Sequence, residues 1–147
     1  MSVGTSQGTR VLRRKAARVD DRMSNETIAV VDDDPSLRKA LTRLLEAYSY
    51  RVQTYELAQQ FIDSLSLQVP ECLILDLNMR QMTGEDVQLY LAGIGTRIPT
   101  IILTGHDTFE IRKRCQQAGA VAFLVKPVTV DQLLRALQTA LSARLLH

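Results

Sequence analysis

From Thr27 onward, short apolar runs alternate with longer stretches in which apolar residues return every three or four positions. The run from Thr27 to Val31 is β-branched in character and ends at Asp32-Asp33-Asp34-Pro35, which predicts a strand leading into a helix. Asp34 is placed to cap that helix, and Pro35 falls at its first position, where a missing N–H costs nothing. Leu37, Leu41, Leu44, Leu45 and Tyr48 then recur at helical spacing. Arg51 to Tyr55 alternates polar and apolar, as a strand does. Ala58, Phe61, Ile62 and Leu65 mark the buried face of a second helix.

Cys72-Leu73-Ile74-Leu75-Asp76-Leu77 is apolar throughout except for one aspartate, the pattern of a central parallel strand covered on both faces. A third helix is expected from Gly84 to Leu91. Pro99 to Leu103 reads as a fourth strand running into Thr104-Gly105-His106. A polar, charged helix is expected over 107–118, stopped by Gly119 as a C′ residue. Ala120 to Val125 is the fifth strand, closed by Lys126-Pro127. Asp131 is expected to open the last helix, with Leu133, Leu134, Leu137, Leu141 and Leu145 on its apolar side. Five strand–helix units predict an α/β fold, a parallel sheet with right-handed crossovers and helices on both faces. Ligands of such sheets bind beyond the carboxyl ends of the strands, where strand order reverses. The chemistry is therefore to be sought at the strand ends.

Composition changes this picture little. A chain of 147 residues, 46% hydrophobic and 23% charged, suits one ordinary globular domain. Its apolar runs are too short to span a bilayer, and no membrane role is expected. Charge is more informative. The net +2 is unevenly spread: residues 1–24 hold six basic residues (Arg10, Arg13, Arg14, Lys15, Arg18, Arg22) against Asp20 and Asp21. The remainder carries twelve basic and fourteen acidic residues. Residues 1–24 thus read as a flexible basic arm, either solvated sequence upstream of a natural start at Met23 or a weak polyanion-binding segment. No apolar stretch follows the arginines, so the arm is not expected to be a secretory signal. Residues 25–147 form the domain, mildly acidic, which argues against DNA binding through its body. Cys72 and Cys115 have no metal-ligand spacing and are expected as reduced, buried thiols of a cytoplasmic protein.

The strand ends carry a consistent chemistry. The first ends in Asp32-Asp33, the third in Asp76, the fourth in Thr104 with Gly105 leaving open space beside it, and the fifth in Lys126. Neighbouring carboxylates repel and raise one another's pKa unless a cation joins them. A hard divalent ion, Mg²⁺ (or Mn²⁺), answers that need. The set suits phosphoryl transfer, which asks for an in-line nucleophile and neutralised equatorial oxygens. Asp76 would be the nucleophile, Lys126 and the metal the charge clamps, and Thr104 a hydroxyl for a phosphoryl oxygen.

Taken together, Val30-Val31-Asp32-Asp33-Asp34-Pro35, Leu73-Ile74-Leu75-Asp76-Leu77-Asn78-Met79 with Gly84, Ile102-Leu103-Thr104-Gly105-His106 and Phe123-Leu124-Val125-Lys126-Pro127 resemble the receiver family of two-component signalling, and within it receivers of the FixJ type. The likeness covers about residues 26–146. It implies a flavodoxin-like (βα)5 fold with strand order 2-1-3-4-5. It implies phosphorylation at Asp76, with Asp33 and Asp76 as direct metal ligands, Asn78 contributing its backbone carbonyl and Asp32 acting through water. It implies a switch pair of Thr104 and Phe123, a Lys126 that moves from the acid cluster to the phosphoryl group, and a cis peptide before Pro127. One departure is visible: Arg80 stands where the family commonly has proline, which frees the following loop and adds charge at the site mouth.

The resemblance further implies a bacterial response regulator that catalyses its own phosphorylation and slow dephosphorylation, not a turnover enzyme. Its partners would be a sensor histidine kinase or phosphotransfer protein. A homodimer could form through the fourth helix, fifth strand and fifth helix, from Asp107 to Leu146. The exposed side of the fourth helix (Glu110, Arg112, Lys113, Arg114) suits such contacts. His106 reads as a loop or entrance residue. With His147 directly after the fifth helix, the chain would be a natural single-domain regulator or the receiver portion of a longer FixJ/LuxR-type DNA-binding transcriptional regulator. A haloacid-dehalogenase-like phosphatase also uses a strand-end aspartate, but needs a second acid where this chain has Asn78.

Overall fold

The computed structural model describes residues 26–144; the basic arm and Leu145–His147 lie outside this range. Five strands form one sheet: β1 (Thr27–Val31), β2 (Arg51–Tyr55), β3 (Cys72–Asp76), β4 (Thr100–Thr104) and β5 (Ala120–Val125). Helices α1 (Pro35–Ala47), α2 (Ala58–Ser64), α3 (Gly84–Gly93), α4 (Phe109–Gln117) and α5 (Val130–Arg144) connect or follow them. All neighbouring strands pair in parallel, in the order β2-β1-β3-β4-β5. This is the expected 2-1-3-4-5 fold.

The alternation of side chains along each strand divides the core in two. Ala29, Val31, Leu73, Leu75 and Ile102 face α2, α3 and α4, where Phe61, Ile62, Val87, Leu91 and Cys115 close over them. Ile28, Val30, Cys72, Ile74, Ile101 and Leu103 face α1 and α5, under Leu41, Leu45, Leu133 and Leu137. The central strands β1, β3 and β4 are buried at every position, whereas the edge strand β5 is only half-buried along its length. Both cysteines are free and buried, and burial pushes the Cys72 thiol up to about 12.

Helix ends show where local pattern is a poor guide. Asp34 caps α1 as expected, accepting from the Ser36 N–H at 2.9 Å. The fourth helix starts at Phe109 rather than 107, because the Thr108 hydroxyl accepts from the Ile111 N–H and sets the first turn there. Gly119, at φ +107°, lies just past its end. The last helix is opened by Thr129, not Asp131: Thr129 and Gln132 each bond the other's backbone N–H, a capping box. Its buried face also includes Ala136 and Ala140. The third helix runs on to Gly93 and begins in a similar box between Thr83 and Asp86.

Candidate functional site

Sheet register brings the strand-end residues into one row. Val31 pairs with Leu75, so Asp32 and Asp76 follow on adjacent strands. Asp76 pairs with Leu103 and Thr104 with Val125, and the Lys126 N–H donates to the Thr104 carbonyl at 2.8 Å. The row crosses the β1/β3 boundary, where strand order reverses and α/β sheets form their binding crevice.

Asp32 is fully buried and Asp76 is 3% exposed, while Asp33 remains half-buried at the rim. One oxygen from each of Asp32, Asp33 and Asp76 lies within 4.8 Å of the others. Lys126 reaches between the two buried acids, its Nζ 3.1 Å from Asp32 Oδ2 and 3.4 Å from Asp76 Oδ1. The backbone fixes the acids in turn. The Asp34 N–H donates to Asp32 Oδ1 at 2.9 Å and the Asn78 N–H to Asp76 Oδ1 at 3.1 Å. Arg38 Nη1 holds the Asp32 carbonyl at 2.7 Å.

Burial, and after it the Asp32 charge, raises the Asp76 pKa; the Asn78 N–H and Lys126 pull against them. For Lys126, burial acts downward, but Asp32 and Asp76 outweigh it and leave the ammonium above its ordinary value. Three clustered carboxylates exceed the one lysine inserted among them. An all-oxygen donor set with uncompensated negative charge fits a hard divalent cation and not a soft one.

The hydroxyl side of the site is tied to a loop. Thr104 Oγ1 accepts from the His106 N–H at 3.0 Å and donates to the His106 carbonyl at 2.9 Å, with Asn78 Nδ2 at 3.4 Å. The His106 side chain is exposed. A Cβ on Gly105 would meet nothing within 4 Å, leaving open space beside Thr104. The Lys126–Pro127 peptide is cis, and Pro127 itself is exposed. Phe123 stands apart from the acid row. It pairs with Ile102, is half-buried against the core under α4, and carries the Arg112 guanidinium 4.7 Å above its ring.

The tertiary structure sets several charged pairs around the site. Arg80 Nε lies 3.9 Å from Asp33 Oδ2, on the wall of a recess of about 530 Å³ beside the acids. Arg112 and Arg114, read as surface charges, are engaged within the chain. Arg112 pairs with Asp107, and Arg114 Nε with Glu85 on α3 at 2.8 Å. Only Arg80 had a signal, its place a few residues beyond Asp76. No helix among the described residues is long and apolar enough to cross a membrane.

Comparison with known proteins gives a consistent result. The family model for the response regulator receiver domain matches residues 28–138. The chain is 38% identical over 114 residues to the response regulator protein TmoT of Ectopseudomonas mendocina, covering 78% of this chain and 52% of that protein. It is 34% identical over 116 residues to the transcriptional regulatory protein TdiR of Thauera aromatica, covering 79% and 51%. It therefore spans about half the length of the curated relatives it matches. Among solved structures, FixJ-N superposes with a TM-score of 0.75 at 28% identity, covering 82% of this chain and 96% of that one. The response regulator StyR gives 0.76 at 34% identity, covering 83% and 62%.

Proposed function

Because the chain belongs to the response-regulator receiver family, we propose that it takes a phosphoryl group onto Asp76 and alters its α4–β5–α5 face in response. The observation that carries this reading is Lys126 Nζ held between Asp32 and Asp76, beside a third carboxylate, at the carboxyl ends of β1, β3 and β5. The donor is a phosphohistidine on a sensor histidine kinase or phosphotransfer protein. One Oδ of Asp76 attacks phosphorus, the P–N bond breaks, and the departing imidazole nitrogen keeps the electron pair. The product is an acyl phosphate on Asp76.

Such a transfer asks the protein mainly for alignment and charge neutralisation. Lys126, already 3.4 Å from Asp76, needs little movement to pair with a phosphoryl oxygen. Asp33 and Asp76, with the Asn78 carbonyl and Asp32 through water, would hold Mg²⁺ or Mn²⁺, which when bound offsets the charge of carboxylates and phosphoryl oxygens. The Thr104 hydroxyl must release the His106 carbonyl before it can donate to the new group. That exchange links chemistry to the loop before α4, with Gly105 and Pro127 framing the opening. Phe123 is the ring that answers the displaced hydroxyl.

The chain on its own acts as a cytoplasmic phosphoryl switch, with residues 25–147 as the switching domain and no DNA contact through its body. Its share of about half of each curated relative, one of them named a transcriptional regulatory protein, supports the reading that it serves within a DNA-binding regulator. Mass spectrometry after incubation with acetyl phosphate and Mg²⁺ tests acceptor and metal together. Wild type should gain one phosphoryl increment that disappears with a chelator and in Asp76→Asn. An equal increment in Asp76→Asn would remove Asp76 from the mechanism.

A further inference from the structure

Arg112 touches two parts of the molecule that the proposed switch needs to move. Its Nη2 and Nε donate to the two Asp107 carboxylate oxygens at 2.9 and 3.3 Å, a two-pronged pair that fixes the plane of the guanidinium. Its Cζ lies 4.7 Å from the centre of the Phe123 ring, within cation–π range. Asp107 directly follows His106, whose backbone N–H and carbonyl are both bonded to the Thr104 hydroxyl. A continuous chain of contacts thus runs from Thr104 through His106 and Asp107 to Arg112 and Phe123.

The two ends of this chain differ in burial. Thr104 is fully buried at the end of a buried strand. Phe123 lies on β5, half-buried at every position, so its ring is only partly held by the core. We propose that Arg112 is a positioning residue that holds Phe123 in its resting place and couples it to the Thr104 loop, so that ring and hydroxyl move together. The inference rests on the phosphoryl-acceptor reading. Arg112 touches neither the acids nor Lys126 and acts only through Asp107 and Phe123. When Thr104 gives up the His106 carbonyl, the loop shifts, Asp107 draws on the guanidinium, and the contact above the ring is lost. Because that contact belongs to the unphosphorylated chain, it stabilises the resting arrangement, and weakening it makes the switch easier to throw.

Fluorine NMR on the full chain labelled with para-fluorophenylalanine tests this. The chain has three phenylalanines, and Phe123→Leu assigns the reporting signal. Beryllofluoride with Mg²⁺ serves as the phosphoryl mimic. In Arg112→Gln the resting Phe123 signal should move toward its beryllofluoride-bound position. The concentration for half-conversion should fall about two- to fivefold, the scale of an exposed cation–π contact. Asp107→Asn should shift the signal in the same direction. Arg112→Lys, which keeps the charge but loses the fork, should fall between wild type and Arg112→Gln. A merely structural role would lower thermal stability without moving the beryllofluoride midpoint. An Arg112→Gln protein that matches wild type in resting signal and midpoint overturns the coupling alone. A wild-type protein whose Phe123 signal ignores beryllofluoride overturns the coupling, and the phosphoryl-acceptor reading falls with it only if acetyl phosphate also leaves Asp76 unmodified.

Discussion

Asp76 and Asp32 are two carboxylates shut away from water, with Lys126 reaching in between them. The balance is unequal: burial and the Asp32 charge hold the Asp76 pKa above its ordinary value despite Lys126. Stability must therefore depend on pH in a definite direction. Between the ordinary value of 3.8 and the raised one, the folded chain keeps the Asp76 proton while the unfolded chain has lost it. Without divalent metal, stability contributed by this group falls as pH rises through that window and stays lost above it. Urea midpoints across the window should show this fall in wild type and a flatter profile in Asp76→Asn. Parallel profiles would mean the carboxyl is not held above its unfolded value. At this scale the sequence was informative wherever a polar residue interrupts or ends an apolar run, as Asp76, Thr104 and Lys126 do. Arg112 looks in sequence like any surface charge of α4, because its stacking on Phe123 depends on how α4 lies over β5.

The start of α3 lies close against the end of β3. A Cβ on Gly84 would lie 2.9 Å from both the Asp76 carbonyl oxygen and Leu77 Cα, backbone atoms that cannot rotate away. The absence of a side chain lets the start of α3 rest on the segment that carries the acceptor. Gly84→Ala should cost about 1–3 kcal/mol, the usual cost of overpacking, and should disturb the loop from Asn78 to Thr83. Gly105→Ala, with nothing within 4 Å of the added carbon, should stay within about 0.5 kcal/mol of wild type. Denaturant midpoints of the two variants check the contrast; equal losses would refute it. Strand limits were legible almost to the residue, since the central strands are buried throughout, the edge strands keep a β-branched or alternating pattern, and turns bound them all. Helix starts were less so, because Thr108 and Thr129 compete with nearby aspartates for the cap and only hydrogen-bond geometry decides.

Across the whole molecule, the sheet has unequal edges. The face made by α4, β5 and α5 combines a half-buried strand with Phe109, 79% exposed at the start of α4, and the exposed Val130. Arg112 and Arg114 are spent on Asp107 and Glu85, so the apolar residues are the better candidates for contact with a second copy. Sedimentation with beryllofluoride and Mg²⁺ should show a dimer that the resting chain does not form. Phe109→Ser should weaken it by about tenfold or more, the scale of an interface hot spot. A chain that stays monomeric at every concentration would remove self-association through this face.

The sequence by itself determined the fold class and the order of the strand-end residues. Both are written in short-range patterns: apolar runs for buried strands, helical spacing between them, and polar residues where burial stops. Strand order followed from family likeness rather than periodicity, and the tertiary structure then placed β1 between β2 and β3. Only that structure decided which acids share Lys126, that Arg80 faces Asp33, and that Arg112 joins Asp107 to Phe123. These contacts depend on sheet register and on the seating of helices over it, which no local pattern encodes.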